Sequence, residues 1–280
     1  MRNRIIIVLF VLIPFLGHSQ VFERVEALSK TEHYLNLFLR TDFENRGSSH
    51  RINSLITTLE KKKKTFSSDK EFLEYLFIKT HQKILKHYVE QCTFTTTVQD
   101  GIYNCLTGTA LYALLLDHFN IDYRVVETNY HIFLVARTVN GNILIEATDP
   151  AKGFVTSPTE VNKRIALYKE NKPAKSKGDK VYYQYQFSIY NTVGLDELLG
   201  LMYYNLSINA YNENNLPVAI NYLDCAIKLY QSPRMEELSK IILLTLHARS
   251  INNAEKDQCL KKIQSLRSTM PGVASSVMSD

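Results

Sequence analysis

Apolar positions recur with a helical period through the N-terminal part of the chain. Between Phe22 and Leu39 they mix with charged residues at that spacing, and the polar stretch from Glu44 to Ser54, with Gly47 inside it, predicts a loop. A helix is expected to resume near Arg51 and to end in Lys61-Lys62-Lys63-Lys64, a run that suits a solvated helix C-terminus and its partial negative charge. The next helix is predicted over Asp69 to Val89, with Phe72, Leu76, Lys79, Ile84, Leu85 and Tyr88 marking its stripe and Ser68 and Glu71 in capping-box relation.

The pattern then changes. Gln91 to Asn104 is rich in Thr and predicts an extended loop, Leu106 to Phe119 an apolar helix, and Tyr123–Glu127 and His131–Thr138 two strands. Asn140-Gly141 is a strong hairpin signal, so Ile143 to Thr148 is expected to return antiparallel to the preceding strand. Helix followed by strands in this order suits an α+β core, one central helix packed on an antiparallel sheet. Lys169 to Lys180 predicts a polar connector, and Val181 to Tyr190 a further strand carrying Tyr182, Tyr183, Tyr185 and Phe187. Beyond Asp196 only helical patterns remain: Leu198–Tyr211, Pro217–Tyr230, Met235–Arg249 and Ala254–Leu266. The chain therefore divides into a helical segment at 20–67, an α+β domain at 68–195 and an all-α region at 196–280.

The extreme N-terminus does not fit a globular pattern. Arg2 and Arg4 precede an unbroken apolar run from Ile5 to Leu16, followed by Gly17-His18-Ser19. A positive start, a short apolar stretch and small residues before a cut after Ser19 predict a signal peptide, hence a periplasmic or extracellular protein. The run is shorter than the roughly 17 to 25 residues that span a bilayer, so no stable membrane insertion is expected after cleavage. Residues 1–19 carry two arginines and no acid, so their loss lowers the formal charge from +5 to +3. So small and scattered a charge gives no basis for nucleic-acid binding. At 280 residues and 45% hydrophobic composition the chain is neither disordered nor dependent on disulfide staples.

Candidate chemistry converges on Cys105, placed where the loop meets the apolar helix. Helix N-terminal N–H groups and the helix dipole favour thiolate there and are suited to an oxyanion. Nucleophilic catalysis also needs a base beside the sulfur and a group to orient that base. His131 starts one strand of the hairpin and Asp149 follows the other. A three-residue loop at 139–141 sets Asp149 opposite His131; a strict two-residue Asn140-Gly141 turn sets it opposite Ile132, on the other face. Glu146 falls near 134 or 135 in either register, roughly 10 Å or more from His131 at about 3.3 Å per residue. The thiols leave a rival reading open, with Cys92–Cys105 and Cys225–Cys259 as disulfide pairs. His33, His50, His81, His87, His118 and His247 show no metal-ligand spacing, so neither a metal nor a cofactor is expected. Asn205-Leu206-Ser207 matches a glycosylation sequon but falls on an apolar helix, which argues against its use.

Cys105 at a helix start, His131 at a strand start and Asp149-Pro150 after the following strand resemble, in order and setting, the transglutaminase-like superfamily, a circularly permuted relative of papain-like cysteine peptidases. The resemblance covers roughly residues 68–155. It implies Cys105 as nucleophile, His131 as general base and Asp149 as its orienter, acting on amide or peptide bonds by hydrolysis or acyl transfer. The chain has no Trp for an oxyanion role; Gln99 and Tyr103 are the substitutes nearest in sequence. The tail resembles a tetratricopeptide repeat through Tyr203, Leu206, Ser207, Ala219, Leu223 and Ala226, with small residues where paired helices approach. A protein or peptide substrate is the implied partner, and a catalytically inactive scaffold that binds such a partner is the alternative function.

Overall fold

The computed structural model describes residues 30–42, 47–172, 184–248 and 253–270. The predicted signal peptide, and residues 173–183 of the predicted connector and strand, lie outside them.

Three helices lead into the core: α1 (30–39), α2 (His50–Lys63) and α3 (Asp69–Lys83). The lysine run ends α2 as expected. Ser68 caps α3 by accepting from the Glu71 N–H, while the Glu71 carboxylate accepts from the backbone and hydroxyl of Ser67, not of Ser68. The chain leaves the helix earlier than Val89 because residues 86–89 bond to Gly101 and Tyr103. There β1 (His87–Tyr88) pairs in parallel with β2 (Ile102–Tyr103). Between those strands the Thr-rich stretch is not an extended loop. Thr93 and Thr96 form a reciprocal capping box, Phe94 and Val98 are buried, and the segment folds as α4 (Phe94–Asp100).

The central helix α5 (Cys105–His118) is buried continuously from Leu106 to Leu116. A helix apolar all round needs cover on every side. One side is the sheet β6-β5-β4-β3-β7, built from β3 (Tyr123–Thr128), β4 (Ile132–Thr138), β5 (Gly141–Ile145), β6 (Phe154–Val155) and β7 (Tyr190–Val193), with every pairing antiparallel. Val125, Ile132, Leu134, Ala136, Ile143 and Ile145 join α5 in the main core. On the other face Val126, Phe133, Val135 and Leu144 pack with Val161, Ile165 and Tyr168 of α6 (Pro158–Lys169). Burial on both faces explains why β4 reads as a continuous apolar run instead of alternating. The last strand lies further along the chain than Val181–Tyr190. The Asn129 carboxamide takes up residues 187–189 by donating to Phe187 O and accepting from Ile189 N–H, so pairing with β3 begins only at Tyr190.

Helices α7 (Leu195–Asn212), α8 (Leu216–Leu229), α9 (Pro233–Ala248) and α10 (Asn253–Ser268) make up the tail. The Ser207 hydroxyl donates to Ala219 O at 2.7 Å and Tyr203 stacks on Tyr222, so α7 and α8 approach closely. The apolar core runs without a break from Leu35 through α5 into all four tail helices. No helix among the described residues is long and apolar enough to cross a membrane.

Candidate active site

Cys105 is the first residue of α5, and the helix start is fixed from both sides. Asn104 Oδ1 accepts from the Thr107 N–H at 2.9 Å, Thr107 Oγ1 accepts from the Asn104 N–H at 3.1 Å, and Asn104 Nδ2 donates to Glu90 O. This cap satisfies the third amide of the helix and leaves those of Cys105 and Leu106 with no acceptor among the described residues. All four cysteines are free thiols, so neither Cys92–Cys105 nor Cys225–Cys259 is bridged. Cys92 instead places its sulfur 3.7 Å from Thr107 Oγ1, and burial pushes its thiol up from the ordinary range.

His131 sits in the tight connection between β3 and β4. Thr128 holds it there: the Thr128 N–H and hydroxyl both donate to His131 O, and the His131 N–H donates back to Thr128 Oγ1. The imidazole is four-fifths buried, against Phe133 and Tyr168. Its Nε2 bonds Glu146 Oε2, and the ring is coupled electrostatically to the Cys105 thiol. With Nε2 occupied by the carboxylate, Nδ1 is the nitrogen left for sulfur.

Glu146 is almost fully buried and every lone pair that matters is occupied. Oε1 accepts from the Thr148 N–H at 3.0 Å and the Thr148 hydroxyl at 2.6 Å, and Oε2 accepts from the Tyr168 hydroxyl at 3.1 Å as well as from His131. Burial alone would raise this carboxyl, but the His131 charge and the Thr148 donors outweigh it and hold Glu146 below its ordinary value. Burial likewise opposes a charged His131, yet the Glu146 carboxylate and the contact with Cys105 prevail and raise it well above the usual histidine range. The carboxylate thus favours a charged imidazole, the state His131 reaches by accepting a proton from the sulfur on its free side.

This corrects the expected orienter. Asp149 does not reach His131: its carboxylate caps the Lys152 N–H at 2.9 Å and faces Arg164 of α6 at 3.7 Å. The reason is register. Thr138 pairs with Gly141 and Leu134 with Ile145, a loop one residue shorter than the three-residue form that aligns Asp149, while Gly141 takes the positive φ. Continued one position past Ile145, that register sets Glu146 opposite Phe133, on the face that His131 shares, and diagonal neighbours on one face are within reach of long side chains. The strand then breaks into a turn, with Asp149 N–H donating to Glu146 O, which carries Asp149 away.

Cys105 and His131 border one cavity of about 160 Å³, shared with Leu106, Glu127, Arg234 and Asn205. Two of these come from the tail, Asn205 on α7 and Arg234 on α9. Arg234 is largely buried; its Nε meets Glu127 Oε1 at 2.8 Å, and its Nη2 donates to Thr128 O at 2.8 Å, three residues before His131. Burial pushes the Glu127 carboxyl up in spite of that partner. Neither residue considered for the oxyanion role borders the cavity: Gln99 is exposed, and Tyr103 is buried against His81 and Tyr88. Sequence reasoning missed Thr148, Tyr168, Asn205 and Arg234, and passed over Glu146. The polar pair Glu146 and Thr148, two apart at the end of an apolar strand, is the one local signal that pointed there.

Among the described residues no three His, Cys, Asp or Glu side chains converge as a metal-ligand set. No family model, curated protein or solved structure matches the chain.

Proposed function

We propose that the chain is an exported cysteine enzyme of transglutaminase-like type, acting on amide or peptide bonds through Cys105, His131 and Glu146. The observation that carries this reading is an imidazole that bonds a buried carboxylate and shares one cavity with a thiol at a helix start. His131 takes the Cys105 proton, and Glu146 compensates the imidazolium and fixes its orientation. Sulfur attacks the substrate carbonyl, the amine leaves with the proton returned by His131, and a thioester remains on Cys105. Water or a second amine then attacks that thioester. Both outcomes use the same residues, so hydrolysis and acyl transfer share this site. The tail, in its resemblance to a tetratricopeptide repeat, would present a protein or peptide substrate to the cleft, and its close α7–α8 packing through Ser207 and Ala219 supports that reading.

The test is alkylation of the full chain by iodoacetamide, with labelled cysteines located by peptide mass. Cys105 is expected to react first among the four thiols, and His131→Ala to slow it by about 10²-fold, the lower end of general-base contributions. Equal labelling of all four cysteines, or a Cys105 rate indifferent to His131, would leave the inactive scaffold as the better account.

A further inference from the structure

Acyl transfer through a thiol needs a donor aimed at the oxygen that becomes negative when sulfur adds to the carbonyl. The two side chains that sequence offered for this role are away from the cleft, and the chain has no Trp. Two carboxamides border the cavity, and that of Asn129 is already held by Phe187 O and the Ile189 N–H. Asn205 projects from α7 into the space shared by Cys105, Leu106 and His131, and it also lines the small neighbouring cavity beside Leu106 and Thr107. Its carboxamide has no hydrogen-bond partner among the described residues, although the residue is partly buried and its helix neighbours Leu201, Met202 and Tyr204 belong to the core. Its polar atoms are therefore free to meet a ligand that enters the cavity. Cys105 and Leu106, whose amides the Asn104 cap leaves open, line the same cavity.

We infer that Asn205 is a catalytic residue of the tail, its Nδ2–H donating to the oxyanion together with the Cys105 backbone N–H. The inference rests on the proposed Cys105–His131–Glu146 chemistry and adds to it that the active site is complete only when the helical tail is docked. As the Cys105 sulfur–carbon bond forms, the carbonyl π pair moves onto oxygen, where Asn205 Nδ2–H and the backbone N–H bind it. When the carbonyl re-forms, that pair returns, the carbon–nitrogen bond breaks, and the amine departs with the proton from His131.

Two probes separate this role from nucleophile activation. Iodoacetamide alkylates sulfur by displacement and forms no oxyanion; p-nitrophenyl acetate acylates sulfur through one and releases p-nitrophenolate. In Asn205→Ala, and in Asn205→Leu, which keeps the branching at Cγ without a donor, the Cys105-dependent burst of p-nitrophenolate is expected to slow by about 10²-fold or more. Iodoacetamide alkylation should stay within about twofold of the parent rate. A fall of both rates together in both variants would make Asn205 a structural residue, and unchanged rates with both probes would make it a passive wall; either overturns the inference. Failure of the underlying chemistry looks different, because the parent chain would then lack a His131-dependent alkylation rate.

Discussion

Glu146 and His131 hold opposite charges in each other's company, and the consequences for pH follow from the directions of their shifts. Glu146 sits below its ordinary value of 4.5, so its stabilising contribution is complete above that value and is lost as pH falls through its folded value. His131 sits above its ordinary 6.5, so its contribution is complete below 6.5 and is lost as pH rises through its raised value. Both are in place together between about pH 5 and 6.5. Glu146→Gln is expected to cost up to about 3 kcal/mol in that window, less than a fully stranded buried charge because His131 can shed its proton. The gap to the parent should narrow toward alkaline pH, as read by urea denaturation. The same variant should slow Cys105 alkylation at neutral pH about tenfold or more, whereas Asp149→Asn, away from the imidazole, should leave the rate within about twofold. A reversed ranking would return the orienting role to Asp149. Cys105 and His131 could be singled out in the sequence because each stands at the start of an element that its own neighbours define, and the fold sets both beside one cavity. The carboxylate was not, because choosing Glu146 over Asp149 turns on a one-residue difference in hairpin loop, which no local pattern fixes.

The elements that carry the site meet at Gly108. Placed one turn into α5, it lies under the turn after β5, and an added Cβ would stand 2.8 Å from the Ala147 Cβ. In an open helix Gly→Ala gains about 0.5–1 kcal/mol. Here either α5 or the turn bearing Glu146 must move, so Gly108→Ala is expected to lose about 1–3 kcal/mol and to slow Cys105 alkylation, since sulfur and carboxylate shift relative to His131. A more stable variant with an unchanged rate would show that this contact has slack. Helix α5, the β3–β4–β5 meander and the four tail helices could all be read from periodicity, with boundaries a few residues off. Helix α4 could not, because Thr93 to Thr97 favours extended backbone by composition, and only the Thr93–Thr96 capping box with Phe94 and Val98 beneath it turns the segment helical. The position of β7 is likewise set from a distance, by the side chain of Asn129.

At the scale of the whole molecule the tail is joined to the site by charge as well as by apolar contact. Glu127, 2% exposed, meets Arg234 from α9 and accepts from the Tyr230 hydroxyl at the end of α8. Arg234 also binds Thr128 O, and Thr128 holds His131. Two roles are combined in one guanidinium, and they can be separated. Arg234→Met strands Glu127 and is expected to cost about 3–5 kcal/mol in chemical denaturation. Adding Glu127→Leu removes the stranded charge, so the double variant should recover most of that loss, short of about 1–3 kcal/mol for the unpaired Thr128 carbonyl. If the tail does no more than dock, alkylation of Cys105 will recover along with stability. If Arg234 also positions the turn that carries His131, the double variant will be stable yet still slow, and its rate will not respond to further stabilisation. A single variant that loses less than about 1 kcal/mol would mean that apolar packing alone holds the tail.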